Sequence, residues 1–119
     1  MSHPFSYLEL HSDDPARAKV FYSELFGWKM SDTPTPVGPY TELHPGEGLE
    51  GGLLKSMLRG APAWIVYMAV PDVRAATARA RSLGAEILAE VGEVPGVGWF
   101  SIARDPAGAA FGLFERKAG

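Results

Sequence analysis

The chain has no cysteine among its 119 residues. That excludes a disulfide framework, a thiolate metal site and a cysteine nucleophile. It also lacks any apolar run near the ~20 residues a membrane span requires. Its first residues, Met1-Ser2-His3-Pro4, lack the basic and then apolar stretch of a secretory signal, so the expected location is the cytoplasm. Positive charge is not in excess either. Eleven Lys and Arg against 14 Asp and Glu give a net charge of −3, whereas a nucleic-acid binder normally presents a basic face. Neither nucleic acid nor membrane is an expected partner.

What remains is the balance of an ordinary globular protein, 46% hydrophobic and 21% charged, with a length that suits one domain or two small halves. Residues 5–12 alternate as a strand does. Leu8 and Leu10 point to one face, and Phe5, Tyr7, Glu9 and His11 to the other. Asp13-Asp14-Pro15 follows as a helix start. Asp14 can accept from an orphan amide, and Pro15 loses nothing at a first helical position. Ala18, Phe21, Tyr22 and Leu25 give an apolar stripe, and Gly27 supplies the left-handed stop. Residues 28–30 predict a short strand and residues 33–39, with three prolines, a loop. Strands are expected over 40–43 and 52–57. Residues 59–62 are the expected division.

Beyond it the order recurs: a strand over 64–70, then Asp72 capping a helix with Val73, Ala76, Ala80 and Leu83 as its stripe. Gly84 ends that helix, and strands are expected over 86–91, 98–103 and 110–115. The recurrence holds residue by residue. Asp14, Ala18 and Leu25 return as Asp72, Ala76 and Leu83, Val37-Gly38 as Val97-Gly98, and Gly52-Leu53 as Gly112-Leu113. The expected architecture is α+β: two βαβββ modules, about residues 5–58 and 62–116, forming a curved mixed sheet around a cavity. Half-barrel units leave strand edges to protect, which favours a homodimer.

The run Tyr7-Leu8-Glu9-Leu10, Asp13-Asp14-Pro15-Ala16-Arg17-Ala18, Phe21-Tyr22 and Leu25-Phe26-Gly27-Trp28 resembles the opening of the vicinal-oxygen-chelate superfamily. That superfamily includes glyoxalase I, bleomycin-resistance proteins and extradiol dioxygenases. Gly51-Gly52-Leu53, Pro95-Gly96-Val97-Gly98-Trp99-Phe100, Asp105-Pro106-Ala107-Gly108 and Phe111-Gly112-Leu113-Phe114-Glu115 resemble its single-domain, glyoxalase-like bacterial branch. The resemblance implies the fold far more than a reaction, because one fold hosts many chemistries. Metal-dependent members chelate a divalent ion with His and Glu from four strands, suited to Zn, Ni, Fe or Mn, and use it as a Lewis acid. Carried over by motif, those slots fall here on Tyr7, Gly52, Ile65 or Val66, and Gly112. None is a ligand. The resemblance therefore implies no metal, no other cofactor and no glyoxalase I activity.

Other arrangements stay open. Glu9 and His11 share one strand face, as do Glu42 and His44 on another. Together they could form an atypical His/Glu site of a lyase, isomerase or dioxygenase, or else both histidines sit at strand ends facing water. Glu9 is the candidate catalytic residue, as a general base, or the anchor of a cationic or hydroxylated ligand, or else a partly buried carboxylate held structurally by a neighbouring Arg or Tyr. Tyr7, Glu9, His11, Tyr40, Glu42, Trp64, Tyr67, Trp99 and Phe111 are the candidate ligand-binding residues, for a small organic molecule. Phe21, Tyr22 and Phe26 are expected to pack helix on sheet, and Glu115-Arg116-Lys117 to form a charged tail. A third reading makes the domain an assembly module whose interior is filled by side chains.

Overall fold

The structure, a computed structural model, describes residues 2–35, 38–58 and 61–118. Val37 and the first half of the 59–62 division lie outside the described residues. The elements run β1 (Phe5–Ser12), α1 (Pro15–Phe26), β2 (Lys29–Thr35), β3 (Gly38–His44), β4 (Gly51–Lys55), β5 (Ala63–Ala69), α2 (Val73–Ser82), β6 (Glu86–Val94), β7 (Gly98–Arg104) and β8 (Ala110–Arg116). This is βαβββ twice, as the repeat implied. Tyr7–Ile65 make one compact unit, and the residues up to Ser6 with those from Val66 onward make the other.

In the first unit the strand order is β2-β3-β4-β1, with β1 parallel to β4 and the other pairs antiparallel. Asp14 caps α1 by accepting from the Arg17 amide, and Gly27 ends it at φ 68°. Leu10, Leu43 and Leu53 are buried beneath the helix, with Ala18, Tyr22, Trp28 and Met30 against them. The α1 stripe is narrower than its spacing predicted. Tyr22 packs, but Phe21, Leu25 and Phe26 are exposed. Residues 33–39 are not simply a loop. β2 continues through Thr35 and β3 begins at Gly38, with Pro34 opposite Pro39. Proline is tolerated there because β2 is the outermost strand of its sheet, where an amide has no ladder partner to lose on one side.

In the second unit β8 lies between β5, to which it is parallel, and β7, with β6 outermost. The β6–β7 ladder shifts register between Ile87 and Ala89 and again before Gly92. Asp72 caps α2 through the Ala75 amide. Its buried residues are Val73 and Thr77, whereas Leu83 falls past the helix and is exposed. The Thr77 hydroxyl bonds the Ser101 hydroxyl at 2.8 Å, and Ser101 is fully buried. Glu115 is not part of a charged tail. It accepts from the Val73 amide at 2.9 Å, closing the start of α2, while Lys117 lies over the Trp99 ring.

Candidate functional site

The alternation in β1 places Tyr7, Glu9 and His11 on the face away from α1, since Leu10 packs beneath the helix. Parallel pairing sets Glu9 beside Gly52 on β4, and antiparallel pairing sets Gly52 beside Glu42 on β3. Tyr40 therefore rises from the same face. These registers bring four of the sequence-predicted residues into one chain of hydrogen bonds. His11 Nε2 donates to Glu9 Oε1 at 2.7 Å. Tyr40 donates its hydroxyl proton to Glu9 Oε2 at 2.8 Å. With that proton committed, the 2.8 Å bond between the two phenols has Tyr7 donating to Tyr40. The Met57 amide lies 3.5 Å from His11 Nδ1, which leaves Nε2 to carry the proton Glu9 accepts.

Burial sets the character of this group. Glu9 is 8% exposed and His11 1%, so His11 does not face water at a strand end. A buried carboxylate is tolerated only when its oxygens are satisfied, and here each oxygen has a donor. Burial pushes the Tyr7 phenol up to about 12. The carboxylates of Glu9, Glu42 and Glu50 add to the rise, and the Tyr40 bond partly offsets it. Tyr40 is raised further, by burial and then by the Glu9 charge. Both phenols stay protonated donors at neutral pH, in an electronegative setting.

Gly52 explains how the phenols fit. A Cβ at this position would overlap the Tyr40 hydroxyl and stand 2.7 Å from the Tyr7 hydroxyl. The space of a residue-52 side chain is thus filled by two phenolic oxygens. The second unit repeats the device. Gly112 pairs with Tyr67, and a Cβ on Gly112 would run into the Tyr67 ring. These residues do not fit a metal. Two of the four slots are glycines whose side-chain space is taken, and among the described residues no three His, Asp or Glu side chains form a group that could hold a metal ion. Ile65, not Val66, shares the Tyr67 side of β5, and it is apolar and buried.

The other candidates lie elsewhere. His44 bonds Glu50 at 3.0 Å and Ser31 at 3.2 Å, with Glu42 3.7 Å away, in an exposed cluster. The Glu42/His44 pair therefore has partners of its own. Trp64 packs edge-on against Tyr22 and Trp28, on the α1 side. Ser101 and Glu115 both reach α2, so alternation puts Trp99 and Phe111 on the helix side too, opposite to Gly112. Tyr67 shares the Gly112 face, and so do Phe100 and Phe114, paired across β7 and β8. Sequence reasoning named Tyr67 but missed the two phenylalanines. Gly112, already placed as a slot, would have fixed the parity of its neighbours.

The repeated βαβββ unit is that of the glyoxalase/bleomycin-resistance/dioxygenase fold. Consistent with this, the structure resembles the hypothetical protein BH1468 of Bacillus halodurans, with a TM-score of 0.73 and 12% identity, over 100% of this chain and 98% of that one. A Streptomyces coelicolor methylmalonyl-CoA epimerase variant in complex with 2-nitronate-propionyl-CoA matches with a TM-score of 0.66 and 14% identity, over 96% and 97% of the two chains. The glyoxalase-like domain model matches residues 7–114, and the chain belongs to that family. A putative glyoxylase of Mycobacterium tuberculosis is 35% identical over 109 residues, which are 90% of this chain and 42% of that protein. The chain thus spans less than half the length of this curated relative.

Proposed function

We propose that the chain is a metal-independent binder of a small organic molecule, acting in the cytoplasm as a homodimer. Its ligand rests against the Tyr7–Tyr40–Glu9 face of the first module. The observation that carries this reading is the phenolic oxygens standing where a side chain on Gly52 would be. A donor-rich cradle around a carboxylate takes the place of a ligand set for an ion. Glu9 already accepts two bonds, so it holds the phenols in place rather than serving as a free base. Its charge, with Glu42 and Glu50 near Tyr7, favours a ligand group that donates hydrogen bonds or carries positive charge, and disfavours an anion. The epimerase neighbour, in complex with a CoA ester, supports an organic ligand for this fold.

The test is elemental analysis of protein purified without chelators and after incubation with Zn, Ni, Mn and Fe, followed by thermal-shift screening. The expected result is no ion above background, with amine- or hydroxyl-bearing compounds raising the melting temperature of the native chain but not of Tyr7→Phe. One ion per chain, lost in Glu9→Gln, would sink the reading.

A further inference from the structure

Helix α1 is apolar on two sides. Ala18 and Tyr22 face the core, yet Val20, Phe21 and Leu25 are 59%, 58% and 57% exposed. No residue of α1 is fully buried. A surface helix normally shows one apolar stripe with a polar face opposite, so a second stripe marks a surface made to be covered. Residues 17, 20, 21 and 24 fall at helical spacing, and Arg17 and Glu24 bracket Val20 and Phe21. Neither charged residue has an ion pair among the described residues.

We propose that this stripe is the contact between two copies of the chain, with the α1 helices antiparallel across a two-fold axis that passes between residues 20 and 21. The proposal rests on the homodimer of the preceding reading and names its surface. The charges select the occupant. About that axis Arg17 faces the second copy's Glu24, and Val20 faces the second copy's Phe21. The Arg17–Glu24 pair forms twice, and the apolar residues close on each other. The surface is its own complement, as an isologous interface requires.

Sedimentation analysis of four chains tests this. Wild type should sediment as a dimer. Arg17→Glu and Glu24→Arg should each weaken the homodimer about tenfold, since each replaces two opposite-charge pairs by two like-charge pairs. The double variant, with the charges exchanged, should recover wild-type affinity, and an equimolar mixture of the two single variants should form a heterodimer. Both substituted positions are exposed, so folding is checked simply by matching circular dichroism. A wild-type dimer indifferent to both single variants would overturn the surface while leaving the homodimer standing. A monomeric wild type would overturn both, and would leave the ligand reading to its own test.

Discussion

Gly52 and the Tyr40 hydroxyl occupy the same space, one by lacking a side chain and the other by filling the gap. The phenol reaches across β4 because β3 and β4 pair in a register that sets Gly52 next to Glu42, two residues from Tyr40. Once there, it meets the Glu9 carboxylate from the neighbouring strand. The glycine, the phenol and the acid are therefore one structural decision distributed over three strands.

Adding a methyl group at this point should be costly. Gly52→Ala drives a Cβ into the Tyr40 hydroxyl, and we expect a loss of about 1–3 kcal/mol by urea denaturation, in the range of an overpacked site. In a Tyr40→Ala background most of that loss should disappear, because the obstructing group is gone. Additive penalties in the double variant would contradict the proposed crowding.

Glu9→Gln keeps the shape of the side chain but leaves one acceptor oxygen where two donors arrive. Either His11 Nε2–H or the Tyr40 hydroxyl then confronts an amide NH2 in a buried site. The expected destabilisation is about 2–3 kcal/mol, the range for a charge-assisted bond replaced by a buried mismatch. A variant as stable as wild type would mean that the carboxylate is not holding these donors.

The phenols make stability fall at alkaline pH. Each has a folded-state pKa raised above the ordinary value of about 10. Between the two values the unfolded chain releases a proton that the folded chain keeps. Stability is therefore intact below about pH 10 and is lost as pH rises through about 12 for Tyr7, and higher for Tyr40. Urea midpoints at rising pH should show this slope, and Tyr7→Phe or Tyr40→Phe should flatten it. A slope unchanged in both variants would count against buried phenols.

In the second module, Thr77→Val should cost about 1–2 kcal/mol, because it leaves the fully buried Ser101 hydroxyl without its partner. Thr77→Val with Ser101→Ala should cost less than the sum of the two single changes, as for any shared bond. Thermal unfolding of the three variants measures the difference.

The parts of this design that show in the sequence are those with a local cause. Asp14 before Pro15 and Gly27 after the helix fix α1 by capping chemistry alone. The polar Glu9 and His11 alternating with Leu8 and Leu10 give β1 its two faces. The Tyr7–Glu9–His11 side of the site follows from that pattern, and Tyr40 joins it through register. What stayed hidden depends on parity without a polar marker. Trp64, Trp99 and Phe111 sit on strands that are apolar on both faces, so alternation names no inner side, and the helix-facing contacts decide it. Phe21 and Phe26, expected against the sheet, are exposed, because helical spacing reports a stripe but not which of two stripes is covered. Thr77 went unnoticed because a threonine in a helix looks polar until its partner across the fold is known.

The outermost strands carry a further consequence. β2 holds Pro34, and β6 breaks its ladder with β7 twice. A foreign strand needs an even row of amides and carbonyls to dock against, and neither border offers a long one. Assembly by strand addition is therefore discouraged on these two margins, whether the newcomer is another protein or a growing fibril. At high concentration such a molecule should associate through its side chains or stay apart, and its borders should be poor seeds for amyloid.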